Sequence, residues 1–149
     1  MKNSRNSYDA SHDCWLTVGK AFLKCQRTMN KLLSDLDITI AQHEILLSLH
    51  RNDAMTHKEL SERLLVVKSN VSNLIKKLEQ RNLVKITPCI VDHRVKRLSL
   101  TRDGSLVVEK SSEIQKTVVT TMMQGLSSSD ISVTNRVMMN ALSTLDEIA

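Results

Sequence analysis

Seven residues, Lys68, Ser69, Asn70, Ser72, Asn73, Lys76 and Lys77, interleave short amides and hydroxyls with cations in one stretch of the chain. Short side chains of this kind let a helix approach base edges, where an amide can bond adenine at two points, and lysines suit phosphates. A second charged group, Asp92, His93, Arg94, Lys96 and Arg97, follows soon after. Between Arg51 and Gly104 there are 12 Lys and Arg against 6 Asp and Glu, a net +6, while the rest of the chain sums to −1. The excess charge is therefore local, and it suits a polyanion. The competing reading of the first group is the solvated outer face of an ordinary amphipathic helix. The charged segment that follows it, with no evident role in folding, favours recognition.

Duplex DNA is the polyanion expected. Trp15, Phe22 and Tyr8 are the only aromatics in 149 residues, so few platforms exist for stacking single-stranded bases. Other chemistry is thinly supported. Cys14, Cys25 and Cys89 are widely spaced, without a CxxC pair, which argues against a disulfide framework or structural zinc. His12, His43, His50, His57 and His93 are scattered and lack ligand spacing, so they read as surface or helix-capping residues and no metal or cofactor is expected. Cys25, between Phe22 and Met29, reads as a small core filler. An enzyme would have to rest on Cys14 with His12, and no phosphate loop or carboxylate pair accompanies them.

The elements that hold these residues follow from periodicity. Apolar positions 15, 18, 22, 25, 29, 32 and 36 step by three and four, predicting a helix of about six turns. Thr39 with Gln42 forms a capping box before a helix facing inward through Ile45, Leu46 and Leu49 and ending near Asn52, and Thr56 with Glu59 forms another before Leu60 and Leu64. The next helix points Val71, Leu74, Ile75 and Leu78 inward, which turns the amides and lysines out. After Asn82 the period becomes two. Val84 and Ile86, then Leu98 and Leu100, predict two antiparallel strands, with Pro88 limiting the first and the segment Cys89 to Lys96 projecting as a wing. A long helix from about Thr101 carries Leu106, Ile114, Val118 and Met122 on one side. Gly125 and Ser127 to Ser129 break it, and a last helix carries Val137, Met138, Ala141, Leu142, Leu145 and Ile148.

The order of apolar residues Leu60, Leu64, Val71, Leu74, Leu78, Leu83 and Val84, closing with DHRVKRLSLTRDG from Asp92 to Gly104, resembles the MarR (multiple antibiotic resistance regulator) family of winged-helix transcription regulators. The Asp-x-Arg of the wing followed by Leu-Thr-x-x-Gly carries the resemblance. It implies a mainly α fold with a small β-hairpin wing: residues 1–36 as an N-terminal dimerisation helix, 37–104 as a winged helix-turn-helix domain, and 105–149 as C-terminal dimerisation helices. It further implies a homodimer reading a pseudo-palindromic site on double-stranded DNA, with Arg94 in the minor groove and Asp92 orienting its guanidinium. Asn82 stands where the family usually has glycine, and Asn73 where many members carry a basic residue, so no operator sequence carries over. Cys14 lies near the position of the reactive cysteine in the hydroperoxide-sensing branch, without that branch's supporting tyrosines.

The function expected is a transcription regulator, a repressor in the first instance, modulated by a small-molecule effector. Alternatives are a thiol-based redox sensor using Cys14, a small Cys/His enzyme, and a winged interaction protein that does not bind DNA. No apolar run reaches the length of a membrane span and the polar start MKNSRNSYDASHD lacks a signal-peptide core, so a cytoplasmic protein without membrane contact is expected.

Overall fold

The computed structural model describes residues 3–64 and 70–148, with side chains from residue 10 onward. The element order is α1 (Asn3–Leu33), a 3₁₀ turn (Ser34–Leu36), α2 (Ile40–Arg51), β1 (Met55–Thr56), α3 (His57–Arg63), α4 (Val71–Gln80), β2 (Val84–Pro88), β3 (Lys96–Leu100), α5 (Arg102–Met122) and α6 (Ser128–Asp146). The fold is mainly helical, with a small three-stranded antiparallel sheet of order β1-β3-β2. The chain divides into two compact units, Met1–Gln115 and Lys116–Ala149.

Both capping boxes form. Thr39 Oγ1 accepts the Gln42 N–H at 3.3 Å while the Gln42 side chain accepts the Thr39 N–H at 3.0 Å, and Thr56 with Glu59 repeats the arrangement at 3.2 and 2.7 Å. Each box satisfies two backbone donors that a helix start leaves open. The first unit packs around Leu33, Ile45, Leu46, Leu60, Val71, Leu78, Val84 and Val108, all fully buried. The expected inner faces of α2 and α4 are the observed ones, with Leu74 half-buried.

Two features exceed the sequence reading. Strand β1 pairs Met55 with Leu98 and Thr56 with Arg97, turning the expected two-stranded hairpin into a three-stranded sheet with β3 in the centre. Pro88, which cannot donate to a ladder, closes the edge strand β2 opposite Lys96. In α5 the inward positions of the first half are Gly104, Val108 and Ser111, whereas Leu106 is exposed. The spacing of Leu, Ile and Met alone misses that face because its anchoring residues are glycine and serine.

Gly104 explains why the segment Leu100 to Gly104 has its composition. A Cβ at Gly104 would lie 1.9 Å from the Leu83 carbonyl oxygen, so α5 meets the start of β2 at a distance no other residue permits. Thr101 Oγ1 accepts the Gly104 N–H at 3.0 Å and donates to the Asn82 carbonyl at 2.6 Å, while the Thr101 N–H reaches the Leu83 carbonyl at 3.1 Å. The threonine caps α5 and ties it to the end of α4.

His43 joins α2 to α5 inside this unit. It is 1% exposed, with Nδ1 2.8 Å from Ser111 Oγ. Ser111 donates its hydroxyl to the Val108 carbonyl at 3.1 Å, so Nδ1–H is the donor to Ser111. Burial lowers the His43 pKa, the Gln115 side chain raises it in part, and the charge of Arg51 lowers it further.

In the second unit, Gly125 takes φ +82°, and Ser127 caps α6. Ser127 Oγ accepts the Asp130 N–H at 3.1 Å and the Asp130 carboxylate accepts the Ser127 hydroxyl and N–H at 2.6 and 2.9 Å. These contacts hold the Asp130 carboxyl below its ordinary pKa. No residue of α6 is buried. Among the described residues, no helix is long and apolar enough to cross a membrane.

Candidate nucleic-acid interface

Helix α4 presents Asn70, Ser72, Asn73, Lys76 and Lys77 on its exposed side, while Val71, Ile75 and Leu78 anchor the opposite side. Lys68 and Ser69 lie outside the described residues. Asn73 Nδ2 donates to Asn70 Oδ1 at 2.7 Å, which orients two amides on one face. Ser72 Oγ lies 3.0 Å from His57 Nε2, and the other ring nitrogen of His57 lies 3.3 Å from Ser61 Oγ. His57, read from sequence as a bland surface residue, is the polar tie between α3 and α4. Its position one residue after the Thr56 cap was the available signal.

The end of α4 is set with similar care. Asn82 adopts φ +55°, its N–H reaches the Glu79 carbonyl at 2.8 Å and the Leu83 N–H reaches Leu78 at 2.9 Å. This pair of bonds closes the helix around a left-handed residue, with buried Leu78 and Leu83 packed beneath, and asparagine supplies the conformation as glycine would. Asp37 does the same after the 3₁₀ turn, at φ +52°, with bonds to Ser34 and from Ile38 to Leu33. Arg81 links the two turns. Its guanidinium donates to the Asp37 carbonyl and to the Leu36 carbonyl at 3.3 Å, and lies 3.6 Å from the Asp37 carboxylate. The exit of α4 is thus tied to the turn that ends α1, a contact between residues 44 apart that sequence reasoning missed.

The wing is held by main-chain bonds from Cys89 N–H to Val95 at 2.8 Å and Val95 N–H to Asp92 at 2.9 Å. Asp92 Oδ1 accepts the backbone N–H of Arg94 at 3.0 Å. The carboxylate therefore orders the turn that carries Arg94, and the contact runs to its main chain instead of the guanidinium the resemblance implied. Arg94, Lys96 and His93 are exposed. Arg97 differs: it is half-buried and donates to the Ala54 carbonyl at 2.7 Å, so one of the wing cations serves the fold by fastening β3 to the residue before β1.

The thiols sort differently from the sequence reading. Cys14 is exposed on α1, but His12 is two positions away and the two project to different sides of the helix. The His12 ring instead lies 5.6 Å from Trp15. Cys89 is the thiol with an activating environment. The backbone N–H groups of Asp92 and Val91, then the Arg97 side chain, lower its pKa to about 7. Among the described residues no three His, Cys, Asp or Glu side chains form a metal-binding group.

A short helix with an exposed amide and lysine face is thus followed by a hairpin that projects an arginine. Residues 36–95 match the model of the MarR family. That segment is a MarR-family winged helix. The chain is 33% identical over 88 residues to the organic hydroperoxide resistance transcriptional regulator of Bacillus subtilis, covering 59% of this chain and 60% of that protein. It is 34% identical over 98 residues to the transcriptional repressor MdtR of the same organism, covering 66% and 63%. The matches thus span less than two thirds of the length of these curated relatives. In fold it resembles a mutant of MarR from E. coli complexed with operator DNA, with a TM-score of 0.78 at 21% identity, covering 91% of this chain and 97% of that one. The likeness in fold therefore extends well beyond the winged-helix segment matched in sequence.

Proposed function

We propose that this protein is a MarR-family, sequence-specific DNA-binding transcription regulator, a repressor that binds pseudo-palindromic promoter DNA as a homodimer. The observation that carries the reading is the pairing of the exposed Asn70, Ser72, Asn73, Lys76 and Lys77 face of α4 with an ordered wing that projects Arg94 and Lys96. Lys68 and Ser69, just before α4, are assigned to the same interface. The α4 amides reach base edges in the major groove, the lysines meet phosphates, and Arg94 enters the minor groove. The name of the relative MdtR supports the repressor assignment.

Dimerisation draws support from α1, where Trp15 is 67% exposed and Val18, Phe22 and Leu23 are exposed with it, and from α6. Residues 1–36 and 105–149 supply the contact. Two lobes then meet half-sites about 34 Å apart, one helical turn. A small effector acts by favouring a lobe spacing that cannot span both half-sites. A cleft of about 370 Å³ lined by Glu44, Ser48, Arg51, Asn52, Arg63 and Gln115 offers a carboxylate and two guanidinium groups to a polar effector. A second reading is a thiol-based form of this regulation with the exposed Cys14 as sensor, and the similar protein named for organic hydroperoxide resistance supports a peroxide as the signal.

The test is selection of bound sequences from random genomic fragments, then affinity measurement on the selected site. Arg94→Ala should weaken binding by about 1 to 3 kcal/mol with fold and dimer intact. Lys77→Ala should weaken binding to all sequences alike and flatten the salt dependence. Arg94→Ala binding as tightly as wild type would remove the wing from the interface. Titration with an organic hydroperoxide decides the sensor, because an equal response in wild type and Cys14→Ser excludes Cys14.

A further inference from the structure

The tip of the wing is apolar. Ile90 and Val91 are 92% and 95% exposed, the highest values among the large hydrophobic side chains described. Both are β-branched and sit in a turn, where glycine, asparagine, aspartate, serine and proline are the residues that local conformation favours. The bonds from Cys89 to Val95 and from Val95 to Asp92 close the loop, and both side chains stand out from it. The same hairpin carries the exposed cations Arg94 and Lys96 and, next to Val91, the exposed carboxylate of Asp92.

An apolar pair on a hairpin of net positive charge fits a surface that is apolar within and anionic at its rims. The minor groove of duplex DNA is such a surface, since its walls are deoxyribose faces between two rows of phosphates, and apolar side chains are used there as contacts or wedges. An anionic membrane shares part of this chemistry. The wing tip, however, belongs to the same compact unit as the amide face of α4, and a lipid surface has no base edges for those amides to read.

We propose that Ile90 and Val91 pack against the deoxyribose walls of the minor groove, an apolar affinity contact separate from the charge of Arg94. The inference rests on the DNA-binding reading above and adds to it two residues that carry neither charge nor hydrogen-bonding groups. Because no charge is involved, the contact releases no counterions, and its loss lowers affinity equally at every salt concentration.

The experiment uses the full chain and the DNA site selected by the wild-type protein, with affinity read by fluorescence anisotropy over a salt series. Ile90→Ser with Val91→Ser should bind about tenfold more weakly, the effect of losing partial burial of two aliphatic side chains, with the wild-type salt slope. Ile90→Val with Val91→Ile should bind like wild type. Val91→Thr, close in shape to valine, provides a milder variant should the double serine protein fold poorly, and it should also weaken binding at constant slope. Wild-type affinity in the double serine protein overturns the tip contact, as does a loss that comes with a changed slope. If wild type selects no DNA, the DNA-binding reading falls and this contact with it. Binding of wild type, but not the double serine variant, to vesicles of anionic phospholipid with DNA affinity unchanged would assign the tip to a membrane and overturn the proposal.

Discussion

In α4, Val71, Ile75 and Leu78 are buried within ten residues, whereas the 19 residues of α6 include no buried position and leave Val137, Met139, Leu142 and Leu145 at least half exposed. Both helices carry apolar residues at helical spacing. The difference teaches that an amphipathic stripe announces a face to be covered without saying by what. Helix α4 is covered by its own chain, since α2, β2 and the turn after Asn82 are all built from neighbouring sequence. The stripe of α6 is assigned to a second copy under the proposed function.

The comparison breaks most readily at α6. Leu142→Glu with Leu145→Glu should raise the dimer dissociation constant by at least about 100-fold, because two charges replace apolar groups at the proposed contact. Sedimentation velocity across micromolar concentrations reads the change, and an unaltered mass distribution would remove α6 from the interface. The same experiment on wild type sharpens the contrast, since a stable folded monomer at those concentrations would leave both exposed stripes without their proposed cover.

Helix α4 should respond within a single lobe. Leu78, fully buried, should cost about 3 kcal/mol on truncation to alanine, from lost burial and an unfilled cavity. Denaturant unfolding measures it. Leu142→Ala in the same assay, at a concentration where the protein is monomeric, should lie within about 0.5 kcal/mol of wild type, as an exposed substitution does. Similar losses for the two leucines would erase the distinction.

A smaller effect separates the winged unit from α6 by pH. The His43 pKa is lowered in the folded state, so the unfolded chain binds the additional proton as pH falls toward and below about 6.5. The contribution of neutral His43 is therefore fully present above that value and declines at lower pH. Unfolding midpoints at pH 7.5 and 5.5 should fall further for wild type than for His43→Gln, even though the variant is less stable overall. Equal slopes would show that His43 does not carry this dependence. The smallest change concerns the wing: alkylation of Cys89 should rise with an inflection at about 7, and Cys89→Ser should remove that component. An inflection near the ordinary thiol value of about 8.5 would contradict the role of the Asp92 and Val91 N–H groups.

The capping boxes at Thr39 and Thr56, the inward face of α4 and the strand alternation around Val84 and Leu98 were all legible in the chain. Each depends on residues no more than a few positions apart, so local hydrogen bonding and side-chain period suffice to reveal it. The inward face of the first half of α5 was not legible, because Gly104 and Ser111 give no hydrophobic signal, whereas Val118, read on the stripe, is buried. Of the candidate interface residues, the exposed α4 set and the Asp92 to Lys96 wing could be read, but sequence did not separate Arg97 from its neighbours or reveal what Cys89 meets.

Residue order alone located the capped starts of α2 and α3, the covered face of α4 and the concentration of positive charge, whereas α1 runs from Asn3 to Leu33, beginning well before the stripe that starts at Trp15. Tertiary structure alone decided that β1 pairs with β3, that Arg97 serves Ala54, that Arg81 ties the exit of α4 to the turn after α1, and that Gly104 must remain without a side chain beside Leu83. These four join residues roughly 20 to 45 positions apart. Such contacts exist only once the whole core has fixed the distance between two segments, and no local preference of either partner encodes that distance.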